Sequence, residues 1–476
     1  MSRDEPVDLA KEEPQDAELR DFLKRFRLDQ PTRVHEIAER SAQAAAEAAP
    51  ERGPARSRGG IQPLVDWHDY PPNITFDPTG RCNVVCEMCD FHRVRSDKGW
   101  KLRQMPELSP EVLRARLAEK IPMRTVTFSG GGAEFFLNKR WPELIDAARS
   151  QTRDIVVLTN GTTLNEKTRH QIVEKQIESI RVSFHGARAE TAMEIMRGSR
   201  FEDVKRNLAE LVRLREARAL PYPRLHISFV GMRKNIDEFP DFVALAAELG
   251  ADSVTLSSMM ERDAEGMEHT RGQSLVGDPE RLRRNWRAGS QIARERGVRL
   301  LSNDPYQNLL EGKEQSAGME DDEPHAPVTP GKTKLCLFPF DKPFVGLNGS
   351  VGLCCSSTGR NVEMGNADLA SFRAVWHGEN YSSLRRSLIT GEHLPDFCAQ
   401  CPRAPNVHPK TMEIHAALLH ARTTGRAAGL WIALRNARHR RRYVAELAAL
   451  NIPRVGIRSV ARAVLMRGLR HFGLAG

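Results

Sequence analysis

From Asn73 to Ser302, short runs of β-branched and apolar residues alternate with amphipathic helical runs. This alternation predicts a parallel sheet built from βα units, and periodicity does not choose between an open doubly wound sheet and a full or partial β/α barrel. The predicted strands are Asn73–Asp77, Thr125–Ser129, Asp154–Thr159, Ser179–Phe184, Arg224–Val230 and Ser253–Leu256, with Val298–Ser302 as a candidate seventh. The predicted helices include Pro110–Lys120, Asn165–Ile177, Glu202–Ala217, Ile236–Leu249 and Pro279–Arg296.

The segments around this region have a different pattern. Residues 1–62 are charged, Ala-rich and then Pro/Gly-rich, which predicts a partly disordered N-terminal extension. Residues 311–335 lack periodicity and are rich in Pro, Gly and charge, so we expect a linker there. The predicted domains are therefore a core at 63–310, a cysteine-rich unit at 336–405 and a tail at 406–476.

Composition predicts a cytoplasmic protein with an ordinary core. Hydrophobic residues make up 40% of the chain, and its longest apolar run, Ala427 to Leu434, is too short to span a membrane. Residues 1–20 are acidic and polar, without the apolar stretch of a secretory signal. In a reducing compartment, the eight cysteines indicate metal ligands before disulfides.

Positive charge is concentrated in the tail. Residues 411–476 contain twelve Arg, two Glu and no Lys or Asp, a net +10, which leaves −1 for the rest of the chain. A basic helix with apolar residues, such as the one predicted over Pro453–Phe472, is typical of contact with an anionic membrane surface or with nucleic acid. A solvated helix that closes the fold explains the pattern equally well, and no specific nucleic-acid partner is predicted.

Three cysteines follow the first predicted strand with C-x3-C-x2-C spacing: Cys82, Cys86 and Cys89. A short polar loop with three thiols can bind one face of a four-iron cluster, because thiolates are the usual ligands of iron–sulfur clusters. Three cysteines leave one of the four irons open for another ligand. In a β/α barrel this loop lies at the carboxyl ends of the strands, where the chemistry of such barrels is located.

A second group of cysteines lies near the C-terminus: Cys336, Cys354, Cys355, Cys398 and Cys401. Asn348-Gly349, flanked by alternating apolar residues, predicts a β-hairpin that would bring Cys336 and Cys354 together. Cys398 and Cys401 form a C-x2-C loop, which is typical of a metal site. These residues alone do not separate zinc from an iron–sulfur cluster.

The first motif and its neighbours resemble the radical S-adenosylmethionine (SAM) superfamily. Ser129-Gly-Gly-Gly-Ala-Glu134 after the second strand is similar to the family's GGE motif, with Ala133 inserted and Phe135 where Pro is usual. Leu158–Thr163 and Val182–Gly186 follow in the expected order. The resemblance implies a partial (β/α)6 TIM-like barrel, with Cys82, Cys86 and Cys89 binding a [4Fe–4S] cluster and SAM bound at its open iron.

The cysteine-rich unit resembles the SPASM domain. Since five cysteines are too few for two auxiliary clusters, it is closest to the shortened twitch version, with Cys336, Cys354, Cys398 and Cys401 around one auxiliary 4Fe–4S cluster. The resemblance leaves Cys354 and Cys355 as alternatives for one ligand position. The remaining thiol, taken as Cys355, is a candidate hydrogen-atom donor, although a small buried residue after a strand is the simpler interpretation.

The same resemblance implies further SAM contacts. Gly130, Gly131 and Gly132 allow close backbone approach to the methionine part of SAM, with Glu134 nearby. Met88 replaces the usual aromatic residue before the third cysteine and can pack on adenine. Ser183 is a candidate for the ribose and Arg197 for the SAM carboxylate, although a polar strand end and a surface Arg explain them equally. For His185 we expect a structural role.

The implied reaction is reductive cleavage of SAM to a 5′-deoxyadenosyl radical that abstracts hydrogen from the substrate. The first hypothesis is a small polar substrate, such as a sugar, an aminocyclitol or a natural-product intermediate, with oxidation or epimerisation assisted by the auxiliary cluster. The alternatives are a peptide-modifying enzyme that forms a crosslink or an epimer, and a non-catalytic cluster-binding sensor or membrane-associated scaffold. The enzyme hypotheses imply an electron donor such as flavodoxin or ferredoxin.

Overall fold

A computed structural model of the chain contains one ten-stranded sheet, with helices packed against it. The strands are β1 Asn73–Phe76, β2 Val85–Cys86, β3 Thr125–Phe128, β4 Asp154–Thr159, β5 Ser179–Ser183, β6 Met196–Arg197, β7 Arg224–Gly231, β8 Ser253–Ser258, β9 Arg299–Ser302, β10 Thr333–Lys334, β11 Phe344–Val345, β12 Ser350–Gly352, β13 Glu363–Asn366 and β14 Asn406–Val407. The helices are α1 Pro110–Arg116, α2 Trp141–Arg149, α3 Glu166–Glu174, α4 Ala189–Ile195, α5 Phe201–Ala217, α6 Phe239–Glu248, α7 Pro279–Arg296, α8 Phe338–Asp341, α9 Phe372–Trp376, α10 Glu379–Thr390, α11 Asp396–Ala399 and α12 Pro409–Thr424.

The structure describes residues 61, 64–65, 70–89, 106–119, 123–129, 133–152, 154–259, 261, 268–303, 306, 310, 328, 330–354, 363–401, 404 and 406–424. The predicted N-terminal extension, apart from residue 61, and the predicted basic helix Pro453–Phe472 lie outside these residues. Among the helices that the structure describes, none combines the length and apolar character needed to cross a bilayer.

The six predicted strands of the core pair side by side as β1-β3-β4-β5-β7-β8, all parallel. β9 extends this sheet beyond β8 and confirms the candidate seventh strand. The strands therefore follow one another in chain order, as they do in a β/α barrel, and the order does not reverse as it would in a doubly wound sheet.

The two faces of the core sheet differ in polarity. The outward face is apolar and packs on helices: the rings of Phe229 and Phe242 of α6 are 4.7 Å apart, and those of Phe184 and Phe201 of α5 are 5.2 Å apart. The inward face presents polar side chains, including Arg181 and Ser228, that are half-buried or exposed. A sheet with helices on one face and an open polar face on the other is a partial barrel, which settles the choice that periodicity left open.

Local sequence signals explain where the helices begin and end. Ser109 accepts a hydrogen bond from the Val112 N–H at 3.2 Å and Pro110 occupies the first position of α1. The predicted helix Ile236–Leu249 is divided into a 3-10 turn, Ile236–Glu238, and α6. Pro240 lies in the first turn of α6, where its missing N–H costs nothing, so it starts a new helix there.

The cysteine-rich unit continues the sheet of the core. β11 pairs in parallel with β1, and β11, β12 and β13 form an antiparallel extension, which confirms the hairpin predicted at Asn348-Gly349. β10, inside the segment predicted as a linker, pairs with β14, inside the segment predicted as a tail. The first part of that tail also forms α12, whose Met412 and Ala416 are buried. These short polar strands have no periodicity that the sequence alone could reveal.

A buried ion pair joins the two parts of the sheet. Arg116 of α1 is 2% exposed, and its guanidinium binds both carboxylate oxygens of Asp368 at 2.7 Å. The same guanidinium donates to the backbone carbonyls of Gly346 and Leu347, at 3.1 and 2.9 Å. All three nitrogens of this planar group thus donate to acceptors in the hairpin region, which holds the C-terminal unit against the core.

A second carboxylate on the same side of the core completes this contact. Glu119 is 5% exposed, and its two oxygens accept hydrogen bonds from the Phe372 and Arg373 N–H groups at the start of α9, at 2.5 and 3.0 Å. A negative charge at a helix N-terminus is favourable because it meets the unpaired N–H groups there. Both contacts therefore fix the C-terminal unit to the segment that directly precedes β3.

Replacement of Arg116 should destabilise the protein strongly. Arg116→Met leaves Asp368 and two carbonyls without their donor in a buried site, so we expect the free energy of unfolding to fall by about 3–5 kcal/mol, measured by denaturant titration. Arg114→Met on the same helix is the matched control, because this side chain is 51% exposed and its contact with Glu111 is 3.8 Å long; we expect a change within about 0.5 kcal/mol. Equal effects of the two substitutions would contradict a joining role for Arg116.

Candidate active site at the mouth of the partial barrel

The three-cysteine loop follows β1 and is held by a small antiparallel ladder. β2, which includes Cys86, pairs with β6, so that Val85 lies opposite Arg197 and Cys86 opposite Met196. Gly198 follows with φ +91°, and a Cβ there would lie 3.2 Å from the Asn83 carbonyl oxygen. The loop is therefore placed by the segment that follows β5, and glycine is required at the closest backbone approach.

Side chains also fix the loop from the far side. The Lys234 ammonium lies 2.8 Å from the Glu87 carboxylate in the loop and 2.7 Å from Glu194 at the end of α4. The His269 ring nitrogen lies 2.9 Å from the Glu87 carbonyl oxygen. Side chains from two separate segments thus contact Glu87, one of the two residues between the second and third cysteines.

The structure brings the three thiols of the loop together. Cys82 is buried, Cys86 and Cys89 are half-buried, and none of the three forms a disulfide. Burial raises the pKa of Cys82 to about 11, with smaller contributions from Glu134 and Cys89. Burial also raises the pKa of Cys86, and the neighbouring Cys89 and Cys82 add to the effect. Without a cation the thiols keep their protons, so the binding of iron here releases protons.

The carboxylate of Glu134 is buried at the ends of β3 and β4. It is 1% exposed and accepts hydrogen bonds from Thr159 Oγ1 and the Asn160 N–H, both at 2.7 Å, and from Thr163 Oγ1 at 3.2 Å. The Phe136 N–H donates to it as well, at 3.3 Å. Burial raises the pKa of Glu134, while these four donors act in the opposite direction. Both carboxylate oxygens therefore accept hydrogen bonds from the protein itself, and Glu134 joins its own turn to the loop after β4.

Asn160 extends this network to the cysteine loop. Its Nδ2 donates to Asn83 Oδ1 at 2.9 Å and lies 3.8 Å from the Cys82 sulfur. Its Oδ1 accepts from the Thr162 N–H at 3.0 Å, which fixes the orientation of the amide. The sequence pattern included Leu158–Thr163 but gave no role to Asn160; only its position beside Cys82, 78 residues away in the chain, reveals one.

Methionines surround the cysteine loop. Met196, Met232 and Met259 are buried in one small cluster with Cys82 and Val84, and Met88 and Val230 pack against it. We call the four methionines, including Met88, the methionine collar. Thioether side chains adapt to flat or irregular ligands, so the collar is suited to contact with an aromatic base.

The other predicted SAM contacts lie around this mouth. Ser183 ends β5 on the inward face and is half-buried, and Arg197 is exposed in β6 opposite the cysteine loop. Their assignments to ribose and carboxylate remain predictions. Gly130, Gly131 and Gly132, and the candidate hydrogen-atom donor Cys355, lie outside the described residues.

His185 has the structural role that we expected. It is 4% exposed, and its Nδ1 accepts a hydrogen bond from the Val230 N–H at 3.2 Å. Its carbonyl accepts from Asn235 Nδ2 at 2.9 Å. Burial lowers the pKa of His185 to about 4, so the ring is neutral near neutral pH. The side chain thereby joins the end of β5 to β7.

The second group of thiols also converges. None of the four cysteines Cys336, Cys354, Cys398 and Cys401 forms a disulfide. Burial raises the pKa of Cys336, and the charges of the other three thiols, which lie near it, add to this effect. Burial raises the pKa of Cys398 to about 12. The turn between Cys398 and Cys401 is closed by a hydrogen bond from the Cys401 N–H to the Cys398 carbonyl at 3.2 Å.

Both groups agree with iron–sulfur clusters in residue type and in grouping. Thiols are the usual cluster ligands, and each group consists of neighbouring thiols without a disulfide. Within the part of the chain that the structure describes, no three or more His, Cys, Asp or Glu side chains form a group that could hold a metal ion as placed. The thiols are thus near one another without a finished coordination geometry, and the positions of the ligands around each cluster remain a prediction.

Two family descriptions match this chain. Residues 76–246 match the radical SAM superfamily, and residues 336–402 match the SPASM iron–sulfur cluster-binding domain. The first match covers the cysteine loop and the core strands β3, β4, β5 and β7, and the second begins at Cys336 and includes Cys401. An iron–sulfur cluster is thereby favoured over zinc for the second thiol group.

Curated relatives match part of this chain. The tungsten-containing aldehyde ferredoxin oxidoreductase cofactor-modifying protein of Pyrococcus furiosus is 22% identical over 38% of this chain and 50% of its own length. The mycofactocin maturase of Mycolicibacterium smegmatis is 27% identical over 38% of this chain and 43% of its own length. The PqqA peptide cyclase of Streptomyces rochei is 26% identical over 40% of this chain and 48% of its own length. The chain thus spans half or less of the length of these relatives.

Solved structures share the fold. The Streptococcus suis protein SuiB, bound to its precursor peptide SuiA, superimposes with a TM-score of 0.51 at 14% identity, over 67% of each chain. SuiB bound to SAM gives a TM-score of 0.50 over 67% of this chain and 68% of that one. At this level of identity the likeness concerns the fold.

Loss of the Asn160 amide should lower the midpoint potential of the cluster held by Cys82. Hydrogen bonds to the sulfurs stabilise the more negative reduced state, so Asn160→Leu should shift the potential to a more negative value in EPR-monitored redox titration. Thr162→Val, which leaves the donor near Cys82 in place, should shift the potential less. An unchanged potential in Asn160→Leu, at unchanged iron content, would contradict this role.

Iron content should separate the two thiol groups. After anaerobic reconstitution, the wild-type chain should contain about eight irons, from two four-iron clusters. Cys398→Ser should reduce this to about four while the cluster bound by the Cys82 loop remains, as measured by iron analysis and Mössbauer spectroscopy. About four irons in the wild type would exclude the second cluster.

Proposed function

Because the chain belongs to the radical SAM superfamily and carries a SPASM iron–sulfur cluster-binding domain, we propose that it modifies a peptide by hydrogen abstraction, forming a crosslink or an epimer. The observation that carries this proposal is the position of the three-thiol loop, at the carboxyl ends of the strands and above the open polar face of the sheet. A substrate on that face has its C–H bonds next to the loop.

The substrate class is supported by the names of two relatives. One is a mycofactocin maturase and another is a PqqA peptide cyclase. The small polar substrate favoured by the sequence patterns alone has less support among these relatives.

When bound, the clusters supply single electrons, and SAM supplies the 5′-deoxyadenosyl radical that removes a hydrogen atom from the substrate. The protein's own residues do the positioning. The ladder between β2 and β6 holds the loop of Cys82, Cys86 and Cys89, and Asn160 donates toward the Cys82 sulfur. The methionine collar provides apolar contact around the loop and excludes water from it.

The C-terminal unit is attached at a fixed position relative to the mouth of the partial barrel. Arg116 and Glu119 bind it to the segment before β3, and β11 pairs with β1, the strand that leads into the cysteine loop. We propose that this attachment keeps the second thiol group at a constant distance from the first. A constant distance favours electron transfer between the two groups over a large movement of one domain.

Hydrogen transfer from a labelled peptide tests the proposal. The reconstituted, reduced protein is incubated with SAM and with synthetic peptides encoded beside its gene, deuterated at their α and β carbons. We expect deuterium in the 5′-deoxyadenosine and, in the peptide, either loss of two hydrogens for a crosslink or uptake of solvent hydrogen for an epimer. Cys82→Ser should abolish all three signals.

Comparison substrates complete the experiment. A deuterated sugar and a deuterated aminocyclitol are treated in the same way. Deuterium transfer from either of these, with none from the peptides, would overturn the peptide assignment and restore the small-molecule hypothesis.

A further inference from the structure

Arg181 is a cation on the inward face of the sheet, toward the amino ends of the strands. The register of the parallel strands places Leu158, Arg181, His226 and Ser253 side by side in one row across β4, β5, β7 and β8. Residues in register on neighbouring parallel strands point to the same face. Arg181 therefore points away from the helices, since its neighbours Ile180 and Val182 belong to the core on the opposite face.

Arg181 has no partner of its own in the part of the chain that the structure describes: its guanidinium makes no hydrogen bond or ion pair there. It is exposed. Burial of the surrounding face lowers the pKa of Arg181, and the charge of Asp154 acts in the opposite direction without forming an ion pair. The Asp154 carboxylate instead accepts from Thr125 Oγ1 at 2.9 Å. A bound anion stabilises an accessible cation whose surroundings are partly desolvated.

The row of Arg181 and the next row carry polar side chains on β7 and β8 and lead to the cysteine loop. His226 Nδ1 lies 2.6 Å from Ser253 Oγ, and burial and the charge of Arg181 lower the pKa of His226, so this ring is neutral near neutral pH. One row further toward the carboxyl ends, Ser183 lies opposite Ser228, whose hydroxyl is 3.3 Å from that of Ser257. The methionine collar lies beyond these rows and contacts Val230 of β7.

We propose that Arg181 binds a carboxylate of the substrate, with the reacting C–H bond held at the methionine collar above it. This assignment deepens the proposed function and rests on it, since it names the group by which the peptide would be recognised. The planar guanidinium matches a carboxylate through two parallel hydrogen bonds. Arg299 of β9 is in register with Ser253 and adds a second guanidinium to the row, while Leu158 and Ser253 carry no charge, so the row as a whole suits an anionic group.

The spacing of the rows limits how far the carboxylate lies from the reacting residue. Val230, at the collar, is four residues beyond His226 on the same strand, which corresponds to about 13 Å. An extended peptide covers this length in about four residues. The modified residue therefore lies within about four residues of the carboxylate, which is either the C-terminus of the peptide or an Asp or Glu side chain.

Chemical modification of Arg181 tests this site without turnover. The reconstituted full-length protein, with SAM, is treated with phenylglyoxal, and the modification of Arg181 and of Arg213 is measured by peptide mapping. The probes are propanoate, propanamide, a tetra-alanine peptide with a free C-terminus, its amide, and an amide with one internal Glu. Arg213 is the internal control, because its side chain is 67% exposed on α5.

We expect propanoate, and at least one of the carboxylate peptides, to slow modification of Arg181 while their amides have no effect and Arg213 is unchanged. The peptide that protects identifies the source of the carboxylate. Equal modification of Arg181 with acids and amides would overturn the proposal. Protection by propanoate alone would support the carboxylate site and speak against the peptide substrate, so the two failures are distinguishable.

A variant provides a second measurement. In the wild type, the carboxylate probe that protects best should bind about tenfold more tightly than its amide, as one charged hydrogen-bonded pair allows. Arg181→Gln should remove this difference, and Arg213→Gln should preserve it. A difference that persists in Arg181→Gln would place the carboxylate elsewhere.

Discussion

The buried carboxylate of Glu134 is the constraint on which the barrel mouth depends. A carboxylate that is removed from water must be fully hydrogen-bonded, and its four donors come from the loop after β4 and from its own turn. Because one of these donors is the Asn160 N–H, the amide of Asn160 is placed beside Cys82. One hydrogen-bond network thus fixes the positions of the turn after β3, the loop after β4 and the first cysteine.

The continuous sheet extends this constraint to the second thiol group. β1 has β3 on one side and β11 on the other, so the strand that leads into the cysteine loop is also the strand on which the C-terminal unit is built. Loss of Arg116 would remove a buried donor from the Asp368 carboxylate, and loss of Glu119 would remove the acceptor of the Phe372 and Arg373 N–H groups. The two thiol groups consequently belong to segments attached to one continuous sheet and not to two loosely linked domains.

The sequence predicted what depends on local spacing. The six core strands, the hairpin at Asn348-Gly349 and the two thiol groups follow from period, turn residues and cysteine intervals, and the structure confirms the strands and the hairpin. Glu134 was recognised as part of a motif and interpreted as a SAM contact, whereas its side chain is occupied by Thr159, Thr163 and Asn160. Pairs such as Arg116 and Asp368, 252 residues apart, could not be predicted, because no pattern within a short window distinguishes a buried Arg from a surface one. The same limit applies to Arg181, whose lack of a partner is visible only when all neighbouring strands are in place.

The central claim is that SAM and substrate meet at the mouth formed by Cys82, Cys86 and Cys89. The most direct test is formation of 5′-deoxyadenosine from SAM by the reduced, cluster-loaded protein under anaerobic conditions. The account predicts formation by the wild type, loss in Cys82→Ser, and retention in Cys398→Ser, whose substitution lies in the other thiol group. No 5′-deoxyadenosine from the wild type, or undiminished formation in Cys82→Ser, would contradict it.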